Sequence, residues 1–118
     1  MGKYVIVCTI GKYDLEKVSI VWSMACNAAA FDHETLVFLQ GQAGSLVRKG
    51  YVDDLRFPPF PPLKELIDNF LELNGKIIVC TPCLSSHHFE KEELIDGVVT
   101  AGGATLIEEM QDAVVLSY

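Results

Sequence analysis

Short apolar runs that alternate with longer segments of helical periodicity constrain the fold of this chain more than any other feature. The runs at residues 4–8, 35–39 and 76–80 are continuous and do not alternate with polar residues. Continuous runs of this length are typical of strands that are buried on both faces, as in a parallel sheet. A fourth run at residues 113–117 predicts one more strand.

The segments between the first three runs predict two helices and a long loop. Residues 14–31 place apolar side chains three or four positions apart, with Asp14 as the N-cap, and residues 62–73 repeat this pattern. Residues 40–62 are rich in glycine and proline, which excludes a long regular helix or a central strand. We therefore expect a loop there, with one short helical turn at residues 45–49.

After a loop at residues 81–90, the last third of the sequence predicts two further helices. Residues 91–101 carry an apolar stripe that indicates a helix, preceded by acidic residues that suit a helical first turn, and residues 106–110 suggest a short helix. Strands that alternate with helices predict a three-layer α/β/α sandwich with a mostly parallel sheet. With 118 residues, we expect one domain over residues 1–118.

The overall charge and the apolar segments limit the classes of partner. The net charge of −7 and the lack of a basic cluster argue against nucleic acid, because a phosphate backbone would be repelled. No apolar run reaches the roughly 20 residues of a membrane span. The N-terminal residues lack the apolar core and cleavage site of a signal peptide, so we expect a cytoplasmic protein with no membrane partner.

The motif with the clearest chemistry is Cys80-Thr81-Pro82-Cys83, which directly follows a predicted strand. Both thiols should emerge at the carboxyl edge of the sheet, where α/β proteins gather their ligands. Two cysteines at this spacing can form a disulfide or resolve one another's bonds, and a nearby helix N-terminus would lower a thiol pKa. The motif favours redox or sulfur-transfer chemistry, while half of a zinc site and plain packing remain alternatives.

Other polar residues are predicted near this pair. Gln42 and Ser45 follow the second strand and should line the cleft beside Cys80, and His87 is a candidate for tuning the thiolate. His87 and His88 could complete a zinc site with the two thiolates, but the short spacing strains a tetrahedral geometry. We therefore predict no metal and no cofactor.

The other two cysteines are predicted to be core residues. Cys8 ends an apolar strand, and Cys26 lies inside an alanine-rich helix.

The sequence resembles the DsrE/DsrF-like family, a sulfur-relay group that also includes the Tus tRNA-thiolation proteins such as TusD. The resemblance spans nearly the whole chain and is most specific at residues 79–83 and 92–97. It implies that Cys80 carries a persulfide and that Cys83 matches a second cysteine of many relatives. Where many relatives have Arg-Gly before a helix, this chain has His87-His88. Family members form homo-oligomers, commonly trimers or hexamers.

The resulting hypothesis is a cytosolic sulfur carrier, similar to a sulfurtransferase, that exchanges persulfide sulfur with donor and acceptor proteins through Cys80. One alternative is a thiol-disulfide reductase that cycles Cys80 and Cys83, and another is a non-catalytic oligomeric binding module. The sequence leaves open whether the chain is an enzyme. Phe57 and Phe60, on a proline-stiffened loop, suit an interface between subunits of a homo-oligomer.

Overall fold

The structure is a computed structural model, which describes residues 2–118. Within these residues the strands are β1 (Lys3–Cys8), β2 (Glu34–Leu39), β3 (Lys76–Cys80), β4 (Val98–Ala101) and β5 (Val114–Ser117). They form one sheet in the order β4-β3-β2-β1-β5, and every neighbouring pair is parallel. The predicted fold class, a three-layer α/β arrangement with helices flanking a parallel sheet, is confirmed.

Four α-helices connect or follow these strands. They are α1 (Leu15–Ala30), α2 (Leu63–Glu72), α3 (Thr81–Ser86) and α4 (Gly103–Glu109). Three short 3₁₀ helices lie in the loops, at Lys12–Asp14, Gly41–Val47 and Lys91–Glu93. Among the described residues, no helix is long and apolar enough to cross a membrane.

The ends of the two long helices follow from local sequence. The Asp14 side chain accepts a hydrogen bond from the Lys17 backbone N–H at 3.1 Å, which is the predicted N-cap of α1. After α2, Asn74 adopts a positive φ of 67° and Gly75 turns the chain into β3. Gly75 has no room for a β-carbon because the Phe70 ring covers it.

The two faces of the sheet bury unequal amounts of apolar surface. One face packs against both long helices in a large core whose biggest buried side chains include Trp22 and Phe70. The other face has a smaller core, formed mainly by Val5, Phe38 and Ile78, on which α4 places Leu106. Cys80 belongs to this second core, so its surroundings depend on how α4 packs.

The predicted helix at residues 91–101 is wrong. The segment begins with the 3₁₀ helix Lys91–Glu93 and continues as β4, which pairs with β3 at the edge of the sheet. The β-branched side chains of Val98 and Val99 favour a strand, and Gly97, at a positive φ of 89°, separates that strand from the preceding turn.

Two smaller predictions also need correction. The helical turn expected at residues 45–49 is the 3₁₀ helix Gly41–Val47, which starts earlier. Residues 81–86 were expected to be a loop but form α3, which has a proline in its first turn, where the missing N–H of proline costs no helical hydrogen bond.

Candidate functional site

The carboxyl ends of the three central strands bring the candidate residues to one edge of the sheet. Cys80 is the last residue of β3 and the N-cap of α3, and Cys83 lies one turn into that helix. The 3₁₀ helix after β2 packs against α3 and carries Gln42 and Ser45. Both cysteines of the pair are free thiols.

Cys83 is the more accessible thiol of the pair. It is half-buried, and its Sγ accepts a hydrogen bond from the Gly41 backbone N–H at 3.2 Å. Gly41 has a φ of 58°, in the left-handed region that favours glycine. This hydrogen bond joins the Cys83 sulfur to the loop that follows β2.

Cys80 lies in a more apolar setting, with only 9% of its surface exposed. Burial raises the pKa of the Cys80 thiol, and the adjacent Cys83 thiol raises it further. The Cys83 backbone N–H, in the first turn of α3, acts in the opposite direction but does not outweigh burial. The helix N-terminus thus lowers the pKa of Cys80 as expected, but the net pKa is raised because desolvation of the thiolate dominates.

Gln42, Ser45 and His87 lie together in one open cleft with a volume of about 570 Å³. The other residues that line it are Gly11, Lys12, Tyr13 and Tyr51. The Lys12 Nζ lies 5.0 Å from the centre of the Tyr51 ring, a cation–π contact. Sequence reasoning missed Lys12 and Tyr51, although Lys12 follows β1 at the same carboxyl edge and could have been found from that placement.

The cleft lies next to the thiol pair but does not include it. Neither cysteine of the pair lines the cleft. The link is the peptide Gly41–Gln42: its first residue donates to the Cys83 sulfur, and its second residue lines the cleft. His87 forms a second link, because its backbone N–H donates to the Cys83 carbonyl at 3.0 Å while its side chain lines the cleft.

Cys8 and Cys26 are core residues, as the sequence predicts. Cys8 is fully buried, and burial raises the pKa of its thiol to about 11. The Cys26 thiol donates a hydrogen bond to the Leu66 carbonyl at 3.2 Å between α1 and α2, and burial raises its pKa as well. Such thiols hold little thiolate near neutral pH, so they are poor nucleophiles.

The four side chains considered for zinc do not assemble into a site. Within residues 2–118, no group of three or more His, Cys, Asp or Glu side chains is placed to hold a metal ion. His87 lines the cleft, whereas His88 is exposed beyond the end of α3 with a φ of 60°.

Two solved structures share this fold. The crystal structure of the ychN protein from E. coli matches with a TM-score of 0.83 and 20% identity, over 100% of both chains. The protein of unknown function MTH1491 from Methanobacterium thermoautotrophicum matches with a TM-score of 0.75 and 12% identity, over 98% of this chain and 99% of that one. At such low identity these matches show a common architecture.

Sequence comparisons carry the assignment further. The uncharacterized protein MJ0760 of Methanocaldococcus jannaschii is 29% identical over 102 residues, which cover 86% of this chain but 37% of that protein. The chain thus spans little more than a third of that relative. The sequence profile of the DsrE/DsrF-like family matches residues 2–118, which confirms the resemblance noted from the motifs. The chain belongs to the DsrE/DsrF-like family.

Proposed function

We propose that this chain is a sulfur carrier that holds sulfane sulfur as a persulfide on the Cys80–Cys83 pair. The observation that carries the proposal is the placement of two free, adjacent thiols at the carboxyl edge of the sheet, one half-exposed and one nearly buried. This difference in exposure suits two steps: one thiol receives sulfur from outside, and the other holds it away from water.

Cys83 is the receiving thiol in this proposal. Its thiolate attacks the outer sulfur of a donor persulfide R–S–SH, so that Cys83–S–SH forms and R–S⁻ leaves with the electron pair of the broken S–S bond. No net oxidation occurs. Its greater exposure favours Cys83 over Cys80 for this first step.

Cys80 then takes over the sulfur, in keeping with the role that the family resemblance implies. Cys80–SH and Cys83–S–SH react to give Cys80–S–SH and Cys83–SH, with the Cys80 proton passing to the departing Cys83 thiolate. The raised pKa of Cys80 slows this attack, but the high effective concentration of a neighbouring thiol compensates. Burial then shields the Cys80 persulfide from small reductants.

The test is mass spectrometry of the protein after incubation with a small persulfide donor. The wild type should gain one sulfur atom, and Cys83→Ser should load at least about tenfold more slowly because the buried thiol must react directly. Cys80→Ser should load on Cys83 but lose its sulfur faster to a reductant. Cys26→Ser is the matched control, since this buried thiol lies outside the pair.

Two results would remove the proposal. One is a wild type that gains no sulfur from any donor. The other is a Cys80→Ser Cys83→Ser double variant that loads as fast as the wild type.

The same proximity of thiols favours a second candidate, a thiol-disulfide reductase. If Cys80 attacks the inner sulfur of Cys83–S–SH, a Cys80–Cys83 disulfide forms and hydrogen sulfide leaves. A reductase would release one sulfide per loaded sulfur and would lose all activity in Cys83→Ser. A carrier instead passes its sulfur intact to an acceptor thiol.

The partners belong to the same proposal. We propose a cytoplasmic homo-oligomer, a trimer or hexamer, that exchanges sulfur with other proteins and does not bind nucleic acid or membranes. The support is the exposed Phe57 ring on its proline-rich loop and the net charge of −7. Sedimentation at micromolar concentration should give a species larger than the 13.0 kDa chain, and a monomer would remove this part of the proposal.

A further inference from the structure

The cleft beside the thiols has an unusual electrostatic character for such an acidic chain. The protein has a net charge of −7, yet within residues 2–118 no carboxylate lines this cleft. Its lining residues include the cation Lys12, the imidazole of His87 and the hydrogen-bonding side chains of Gln42 and Ser45. An anion in this cleft therefore avoids the repulsion that the rest of the acidic surface would exert on it.

Lys12 is available to a ligand. The described residues contain no ion pair to Lys12, whereas Lys3, Arg48, Lys64 and Lys76 all pair with carboxylates. Its ammonium group rests over the Tyr51 ring, which holds the charge at the cleft without neutralising it. Arg48 approaches the same ring, with its Cζ 6.0 Å from the centroid, but it is committed to Glu93 at 3.0 Å.

The size and position of the cleft suit a small molecule that reacts at Cys83. A volume of about 570 Å³ lies within the range of small-ligand sites. Gln42 lines the cleft, and the preceding residue, Gly41, donates its backbone N–H to the Cys83 sulfur. A ligand held by Lys12 at one end can therefore extend over the Gly41–Gln42 turn toward the receiving thiol.

We propose that this cleft binds the carboxylate end of a low-molecular-mass persulfide, with Lys12 as the principal anion-binding residue. The inference rests on the sulfur-carrier function and adds, beside the donor proteins, a second class of donor, a small organic anion that bears a sulfane sulfur. In the reaction, Cys83–S⁻ gains the outer sulfur of the donor, and the carboxylated thiolate leaves with the electron pair of the broken S–S bond. Tyr51 and His87 flank the bound donor.

The experiment compares the rates at which three persulfides of similar size load the wild-type protein, each divided by the rate of the same persulfide with a small free thiol, so that differences between the leaving thiolates cancel. The donors are the persulfides of mercaptopropionate, mercaptoethanol and cysteamine, which carry an anionic, a neutral and a cationic group. We expect the anionic donor to load about three- to fivefold faster than the neutral one, and the cationic donor to be slowest. The preference should shrink as salt is added, since exposed charges are screened.

Lys12→Gln tests the assigned residue. The ratio of anionic to neutral loading rates should fall to about one in Lys12→Gln, while Lys17→Gln should keep the wild-type ratio. Lys17 is a matched control because it is also exposed, removes the same charge and does not line the cleft. Circular dichroism establishes that both variants are folded.

The outcomes separate this inference from the function on which it rests. If no donor loads the wild type, the sulfur-carrier function fails and the inference fails with it. If all three donors load at equal rates, or if Lys12→Gln keeps the preference for the anion, the carrier function stands and the assignment of the cleft is wrong.

Discussion

The layers that cover the two faces of the sheet differ in thickness. The thick layer, formed by α1 and α2, stabilises the fold, whereas the thin layer, formed by α4, lies on the face that offers the chemistry. The face under α1 and α2 has a broad core that contains Cys26, and burial there raises the pKa of the Cys26 thiol. The opposite face has a narrow core under the seven-residue helix α4, and Cys80 lies at its rim beside the more exposed Cys83. We therefore expect thiols of the same kind to differ in reactivity according to the layer that covers them.

The largest expected effect is the contrast in thiol alkylation under native conditions. Cys83 should react first with a mild alkylating agent, Cys80 more slowly, and Cys26 at least about a hundredfold more slowly than Cys83, because Cys26 must wait for the helices to open. Peptide mapping after timed quenching gives the rate of each thiol. In denaturant, where no layer covers them, the rates should converge. Equal native rates for Cys26 and Cys83 would break the comparison.

The next test truncates a leucine in the thick layer. Leu66 is 7% exposed in the core beneath α2, and its backbone carbonyl accepts a hydrogen bond from the Cys26 thiol. Leu66→Ala should lower the free energy of unfolding by about 4 kcal/mol, because the two long helices cannot close the cavity. Denaturant titration monitored by the fluorescence of the buried Trp22 measures this loss. A loss below about 1 kcal/mol would show that this layer is not tightly packed.

The matching substitution in the thin layer sharpens the contrast. Leu106 is 6% exposed, almost the same as Leu66, but it belongs to a short helix over a small core. Leu106→Ala should cost only about 2 kcal/mol, since α4 can settle and water can reach the rim. It should also accelerate alkylation of Cys80 under native conditions, which Leu66→Ala should not do to the same degree. If Cys80 keeps its wild-type rate in Leu106→Ala, then α4 does not control the access.

The thick layer and the sheet could be predicted from the sequence because their signals are local. Continuous apolar runs marked the three central strands, and helical spacing with Asp14 as a cap marked α1. The edge strand β4 was missed because Leu94, Ile95, Val98 and Val99 also fit a helical stripe, and a strand of four residues offers no periodicity to oppose it. The pairing of β4 with β3 decided the outcome, and that contact is not local.

In the candidate site, too, one part could be predicted from the sequence and another part could not. The shared cleft of Gln42, Ser45 and His87 could be expected from the rule that loops after parallel strands meet at one edge. The burial of Cys80 could not, because the core to which it belongs also includes Leu106 of α4, which comes after α3 and β4 in the sequence. The spacing of residues near the Cys80–Cys83 motif carries no information about how α4 packs, because α4 comes much later in the sequence.

The smallest expected effect concerns the ion pairs that attach α4 to the amino end of the sheet. The Glu109 carboxylate lies 2.9 Å from the Lys3 Nζ and 3.6 Å from the Lys76 Nζ. The hydrogen bond from Lys3, and to a lesser extent the charge of Lys76, lowers the pKa of Glu109 below its ordinary value of 4.5. The stabilisation is therefore present above the unfolded pKa, and it is lost as the pH falls through the lower folded value.

Glu109→Gln should lower the free energy of unfolding by at most about 1 kcal/mol near neutral pH, and by progressively less in acid, as the pH falls through the lowered pKa of the wild-type carboxylate. Denaturant titrations over a series of pH values measure this decrease. Glu108→Gln is the matched control, because Glu108 is exposed on the same helix and, among residues 2–118, has no salt bridge. If the thin layer is held partly by this contact, native alkylation of Cys80 should also quicken in Glu109→Gln near neutral pH. An unchanged rate would mean that the apolar contact of Leu106 alone holds α4 over the thiol.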